Sequence, residues 1–566
     1  MNGNEHVASL IAKSILRKPL PALVLIVVSI LSALSAVLPS YALRFLLDEG
    51  LSGDQSLPLA STLYFLSFVL YALFNFAQSY LLVFLGERIS KDLRLSLMRK
   101  LSSMPATYYV HNGAGYMTSR VMDDVYSIMT LFTDGIFGMA VDVVSIVSIS
   151  ISLFVFSWPL GLLVTSLVPL VFLLIRVLRK RMFKSQKENR KFINRESDFV
   201  SESLTNARTV KNLAKEGYVG GKYAALLKGS YKAMQRSYFY DSIFSPIVQL
   251  VKSLVIAAIV LLAVKDTAGI FLSIGTLAAA IDLVTNIFTP LEDLGTELEG
   301  MQEGNAAVKR CDELFSSPSD IRKDEDLDLT SLLSKPVYIE AKGLGFAYPD
   351  GDQPVFGNAD FVIHAGDNVI VTGRTGAGKT TLFKLLLGLY KPSKGSLRLA
   401  GIPMYSIPDR YKRNLFGYVA QGFSPIGGTI ADQVSLCDKG IEISAIRKAM
   451  AEVGLDSYVM DQIPGGYAAP FKASQFSRGQ LQLLSAARAL VMDPPLVLLD
   501  EISANLDSVT EKTIVKTMGQ ALKGRTVVTI SHRYFDPSKS RIFFVGDGTI
   551  REIGSGEYDS YFAKGD

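Results

Sequence analysis

The sequence predicts a chain in two parts. The first is a membrane-embedded α-helical half of six transmembrane helices with long cytosolic extensions. The second is a soluble α/β half built around a phosphate-binding loop. Three observations predict this. Hydrophobic residues make up 49% of the 566 residues, and they are concentrated before residue 292. Pro19 to Leu43 and Gln55 to Gly86 carry no charged residue, and each is long enough to cross about 30 Å of hydrocarbon as helix. Gly373-Arg374-Thr375-Gly376-Ala377-Gly378-Lys379-Thr380-Thr381 lies between an apolar strand, Val369 to Thr372, and a helix that covers at least Leu382 to Leu387.

Composition excludes several classes. A net charge of +5 is too small for this length to imply a nucleic-acid partner. Cys311 and Cys437 are the only cysteines, so neither a disulfide framework nor a zinc spacing can form. The histidines at 6, 111, 364 and 532 make no metal-like cluster.

Six spans are expected, at about 20–43, 59–86, 133–157, 160–178, 243–264 and 268–290. The first is too long for a cleavable signal and is followed by Arg44 rather than small residues. The loops set the orientation. Residues 48–58 hold Asp48, Glu49 and Asp54 without Lys or Arg, and only Lys265 and Asp266 separate the last two spans. By contrast, 176–239 carries sixteen Lys and Arg against five acids. Basic loops face the cytoplasm, so both termini are expected inside, in a bacterial plasma membrane. The basic loops have helical spacing and project beyond the bilayer as levers.

Composition shifts across a polar linker, 316–335, so the domains are read as 1–315 and 336–566. In the second part, glycines at 373, 376 and 378 let backbone N–H groups converge on phosphate oxygens. Lys379 adds charge for the outer phosphates, and the Thr380 hydroxyl suits magnesium. Leu496 to Glu501 reads as a buried strand ending in two acids. Asp500 is placed for the magnesium shell and Glu501 for polarising a water. His532 ends the strand Thr526 to Ile530 and is a candidate for the γ-phosphate and the attacking water. Gln421 follows the strand Leu415 to Ala420 and is a candidate to sense magnesium and water. Tyr348, before Pro349, is a candidate to stack on adenine. ATP and Mg2+ are therefore the expected nucleotide and metal.

Phe476-Ser477-Arg478-Gly479-Gln480 resembles the LSGGQ signature of ATP-binding cassette proteins, and Ser503-Ala504-Asn505-Leu506-Asp507 resembles their D-loop. With six spans and Tyr348, the phosphate loop, Gln421, the two acids and His532 in order, nearly the whole chain resembles a half-transporter of the cassette exporters. Met104 to Gly113 and Glu202 to Lys211 resemble that family's coupling helices. The resemblance implies a dimer in which two cassettes sandwich two ATP molecules. Each ATP would lie between one chain's phosphate loop and the other chain's Ser477, Arg478, Gly479 and Gln480. It further implies export by alternating access, powered by ATP.

Arg478 stands where the family has its first signature glycine, a residue that permits close approach and positive φ. An acid commonly found just before the signature is missing from Pro470 to Gln475. The own-chain set Lys379, Asp500, Glu501 and His532 matches. A homodimer and a heterodimer with one weakened site both remain open, and the altered signature tilts the expectation toward the heterodimer. A regulatory half, or a membrane-anchored ATPase without transport, is a further alternative. The cargo is not legible. One belt is a candidate pathway: counted from their outer turns, Asp142, Lys252 and Asp282 lie at one depth of ~20 Å, with Asn75 nearby and a candidate Lys252–Asp282 pair.

Overall fold

The structure, a computed structural model, describes residues 6–50, 57–264, 273–320, 338–348, 353–501, 508–530 and 540–562. It falls into two compact units. The first is Met1–Ser103 with Asn112–Pro318, and the second is Met104–His111 with Ser319–Asp566.

The first unit is helical. Among the described residues, six stretches are long and apolar enough to cross a membrane: Pro19–Asp48, Leu57–Ser102, Ala114–Phe156, Trp158–Thr205, Glu216–Leu261 and Ile274–Ser316. The longest has 48 residues, about 72 Å of helix against about 30 Å of hydrocarbon, so much of it extends past any bilayer. Helix packing follows the 3.6-residue period. Leu160, Val164, Val171 and Ile175 meet Val248, Val255 and Ile259, and both meet Leu283, Val284 and Ile287. Other faces carry exposed apolar side chains such as Phe65 and Phe76, as a surface solvated by lipid does.

The helices run on past the expected apolar spans. The third stretch begins at Ala114 rather than near 133, because its charges interrupt the apolar run without ending the helix. It contains two wide-turn segments, Arg120–Asp124 and Leu131–Gly138. Here Asp124, 3% exposed, holds Arg120 Nη1 and Arg310 Nη2 at 2.5 Å each. The sixth described helix begins at Ile274, and residues 265–272, with Lys265 and Asp266, lie outside the described residues. Between the third and fourth stretches Ser157 is the single extended residue, and Pro159 follows in the first turn, where a missing N–H costs nothing.

The second unit is an α/β fold of two sheets. Strands β1 (Ile339–Phe346), β2 (Phe356–Ile363), β4 (Lys394–Leu399) and β5 (Ile402–Pro403) form an antiparallel sheet in the order β2-β1-β4-β5. Strands β3 (Asn368–Thr372), β6 (Phe416–Val419), β7 (Leu496–Asp500), β8 (Thr526–Ile530), β9 (Arg541–Gly546) and β10 (Thr549–Ile553) form the other, ordered β10-β9-β3-β8-β7-β6. All its pairings are parallel except β10 with β9. The strands read as continuous apolar runs because both faces are covered. On β7, Leu496 and Leu498 enter one core while Val497 and Leu499 enter the other. Parallel pairing brings the carboxyl ends of β3, β7 and β8 to one edge, where ligands bind in such sheets.

Two short helices occupy the segments that resemble coupling helices. Ala106–His111 groups with the second unit. Ala207–Asn212 caps the turn between the fourth and fifth stretches and has no buried residue.

Candidate functional site

The phosphate loop leaves the end of β3 and leads into the helix Lys379–Leu386. Its glycines are needed on two counts. Gly373 has φ +147 and a Cβ there would lie 2.2 Å from the Val545 carbonyl oxygen. Gly378 has φ +106 and a Cβ would lie 2.6 Å from Val355 Cγ1. Arg374, Thr375 and Thr380 are exposed, while Lys379 is 8% exposed. Lys379 Nζ donates to the Gly373 and Arg374 carbonyls at 2.7 and 3.1 Å. Burial holds its pKa below the ordinary lysine value, against the pull of Glu501 and Asp500. A buried ammonium ringed by carbonyls at a helix N-terminus is suited to an anion. The residues present thus fit nucleotide phosphates.

Asp500 ends β7 beside that lysine. It is 9% exposed, and burial raises its pKa; the Tyr418 hydroxyl, donating to Oδ2 at 3.1 Å, acts in the opposite sense. Tyr418 itself is pushed up, by burial first and by the Asp500 carboxylate second. Glu501 turns out of the strand with φ +46, a conformation that costs a non-glycine residue about 1–3 kcal/mol. Its N–H donates to the Ile530 carbonyl at 3.1 Å, and its Oε2 accepts from Gln421 Nε2 at 2.9 Å. The fold therefore brings together Lys379, Asp500, Glu501 and Gln421. The donor set of Thr380 hydroxyl, Gln421 amide and Asp500 carboxylate is all oxygen at its acceptor atoms and fits Mg2+. His532 and the segment Ser503 to Asp507 lie outside the described residues.

Tyr348 packs edge-on against Phe346 and Tyr390, with ring centroids 5.1 and 5.6 Å away. Its hydroxyl shares a 3.0 Å hydrogen bond with Thr381 Oγ1, and Lys384 Nζ lies 5.7 Å above its ring. Thr381 is buried by this contact and Thr380 is not, which separates the two threonines.

The signature segment opens the helix Arg478–Leu490. Ser477 Oγ accepts from the Gln480 N–H at 3.2 Å, and Gln480 Oε1 accepts from the Ser477 N–H at 2.8 Å, a reciprocal capping box. Gly479 is buried and Arg478 exposed. Arg478 is the first residue of the helix and is not among the positive-φ residues. The helix start therefore uses no positive φ here and accepts arginine without backbone strain.

Sequence reasoning missed three residues here. Tyr418 partners Asp500. Gln482 Nε2 donates to the Ala420 carbonyl at 2.9 Å, next to Gln421. Arg488 donates to the Gln433 and Ser424 carbonyls at 2.6 and 3.0 Å, and its guanidinium lies over Phe423 at 4.4 Å. The helix behind the signature is thereby tied to the segment on both sides of Gln421. A tyrosine three positions before Gln421, on the strand that pairs with β7, was the only available signal.

In the first unit, Asn75, Asp142 and Asp282 line one cavity of about 420 Å³, and Lys252 does not. Asp282 accepts from Ser40 Oγ at 2.6 Å and from Asn286 Nδ2 at 3.4 Å rather than pairing with Lys252.

Residues 22–291 match the family described as ABC transporter transmembrane region, and residues 356–504 match the family described as ABC transporter. An uncharacterized ABC transporter ATP-binding protein, YknV of Bacillus subtilis, is 26% identical over 97% of this chain and 91% of its own length. An ATP-dependent lipid A-core flippase of Psychrobacter cryohalolentis is 28% identical over 85% of this chain and 80% of its own. A bacterial Atm1-family ABC exporter solved with ATP bound superposes with a TM-score of 0.78 at 20% identity, covering 96% of this chain and 99% of that one.

Proposed function

The chain belongs to the ATP-binding cassette transporters, as a half-transporter with one six-helix membrane region and one ATPase domain, and on that premise we propose that it exports an amphipathic cargo by alternating access. Its ATPase drives transport. The observation that carries the reading is the cluster at the carboxyl edge of the six-stranded sheet. Lys379, Asp500 and the Gln421–Glu501 hydrogen bond lie around one phosphate loop.

Each residue then has a task. The loop N–H groups and Lys379 bind the β- and γ-phosphates of ATP. Thr380, Gln421 and Asp500 would hold Mg2+, which neutralises phosphate charge when bound. Glu501 accepts the proton of the attacking water, and Gln421, bonded to it, holds its carboxylate in position. His532 takes the γ-phosphate and Tyr348 the adenine. In the membrane half, Asn75, Asp142 and Asp282 face the cargo. The domains run 1–315 and 336–566 with a linker at 316–335. Both termini and the ATPase lie on the cytoplasmic side, as the basic levers require. The P. cryohalolentis relative moves lipid A-core, which supports a cargo with an apolar part.

A cassette dimer completes the site. Ser477, Arg478, Gly479 and Gln480 meet the ATP held by a second half-transporter, and the exposed helix Ala207–Asn212 transmits closure to that partner. Gln482 and Arg488 link signature movement to Gln421, so partner docking and water positioning change together. Arg478, exposed at the helix start, favours pairing with a chain that carries a regular signature. The test is ATP hydrolysis by the reconstituted complex, with Glu501→Gln abolishing turnover and Lys379→Ala abolishing nucleotide binding. Turnover that survives Glu501→Gln contradicts the assignment, and a purified equal-site homodimer contradicts the pairing.

A further inference from the structure

A nucleotide site has a base end and a phosphate end, and in this chain one hydrogen bond joins the two. Tyr348 lies just past the end of β1, and the backbone leading to it is fixed. The Ala347 N–H donates to Ser393 Oγ at 3.1 Å, and the Ser393 N–H donates to the Gly345 carbonyl at 2.8 Å. The Phe346 and Tyr390 rings stand at 79° and 84° to the Tyr348 ring, and the Lys384 ammonium lies over it. The last constraint is the 3.0 Å hydrogen bond between the Tyr348 hydroxyl and Thr381 Oγ1.

That partner belongs to the helix that the phosphate loop opens. Thr380 and Thr381 are consecutive, and successive helical residues point about 100° apart. Thr380 is therefore exposed while Thr381 is buried against Tyr348. A helical threonine hydroxyl often turns back to the carbonyl one turn earlier. This one instead reaches a side chain 33 positions away. A tyrosine held by ring packing alone can still shift about its side-chain torsions, and an anchored hydroxyl removes that freedom. Ordering a side chain at the moment of binding lowers affinity, so a side chain ordered beforehand raises it.

We propose that Thr381 is a positioning residue for the base. Its hydroxyl holds the Tyr348 ring in place before the nucleotide arrives, so adenine stacks on a platform already ordered and tied to the phosphate loop. The proposal rests on the reading of Tyr348 as the adenine platform, and Thr381 acts through that ring.

The test is displacement of Mant-ATP from the purified full-length protein by MgATP and by inorganic tripolyphosphate, which has no base. Thr381→Val and Tyr348→Phe each delete one hydroxyl and keep the side chain's shape. Each should weaken ATP about fivefold. The double variant should also weaken it about fivefold, because all three lack the same bond. Thr381→Ser should restore ATP affinity, and the affinity for tripolyphosphate should move by less than about twofold in every variant. An additive loss of about 25-fold in the double variant overturns the proposal. So does unchanged ATP affinity in Thr381→Val, or an equal loss for ATP and tripolyphosphate, which would put Thr381 on the phosphates directly. The Tyr348→Phe measurement stands even where Thr381→Val does not fold. Tyr348→Ala separates the two readings. Unchanged ATP affinity there overturns the platform itself, whereas a loss there without one in Thr381→Val overturns the positioning role alone.

Discussion

The ATPase site and the membrane cavity are both polar pockets within apolar surroundings, and they differ in which polar groups they present. In the ATPase, a buried ammonium and the N–H groups of the loop present donors, and each acid near them has a partner: Tyr418 for Asp500, Gln421 for Glu501. The cavity wall instead carries three carboxylates, Asp142, Asp282 and Asp293, without Lys or Arg among its described residues. The first region is arranged for an anion, and the second is lined by acids. Positive phosphate sites of this kind are short-range and local, built by consecutive backbone on one loop. The cavity is assembled from helices far apart in sequence, so its charge balance emerges only on folding.

The largest effect that could break this comparison is at Glu501. Glu501→Gln keeps the shape and the hydrogen bond to Gln421 but removes the proton acceptor. ATP turnover should fall by about 10²–10⁴-fold while ATP binding persists, measured by steady-state hydrolysis and by nucleotide titration. The next prediction sets two acids of one helix against each other. Asp124 is buried with two arginines, so Asp124→Asn strands them and should destabilise the membrane unit by about 3–5 kcal/mol. Asp142→Asn removes an unpaired charge and should leave the thermal midpoint in detergent unchanged or raised. Equal losses in the two variants would show that Asp142 is as internally compensated as Asp124.

Smaller effects sharpen the ATPase side. Tyr418→Phe removes a donor to a carboxylate, a bond of about 1.5–3 kcal/mol. That donor favours ionised Asp500 against burial, so its loss raises the pKa further. Asp500 must be ionised for metal binding, so activity present at high pH should be lost at a higher pH as acidity increases. A pH–rate profile checks this, and an unmoved acid limb contradicts it. Ser477→Ala removes one half of the capping box and should cost about 1 kcal/mol of ATPase-domain stability in a denaturant titration.

Much of this was legible in sequence, and the limits have physical reasons. The phosphate loop, Asp500–Glu501 and Gln421 were visible because each is fixed by local spacing on a strand end. Their mutual contact needed only a parallel sheet. Tyr418 and Gln482 act through side-chain bonds to other strands and helices, which no spacing encodes. Arg310 meets Asp124 across 186 positions, beyond any periodicity. The third apolar span was read from near 133 because Arg120, Asp123 and Asp124 lower hydropathy before it, and the helix itself runs through those charges with wide turns. In the belt, residue counting gave depth but not direction. Each step rotates a helix by about 100°; Asn75, Asp142 and Asp282 face the cavity, and Lys252 at the same depth does not. Asp293, also on the wall, lies just beyond the expected end of the sixth span. At Arg478 the residue type did not reveal that the backbone is an ordinary helix first turn without positive φ.

The central claim is that Glu501-dependent ATP hydrolysis drives cargo movement through the membrane half. Its most direct test is ATP-driven accumulation of a panel of fluorescent amphipathic dyes and lipids in inverted vesicles containing the reconstituted complex. The account predicts uptake that requires ATP and disappears with Glu501→Gln. Uptake of equal size in that variant, or none in the unaltered protein while ATP is hydrolysed, would contradict it.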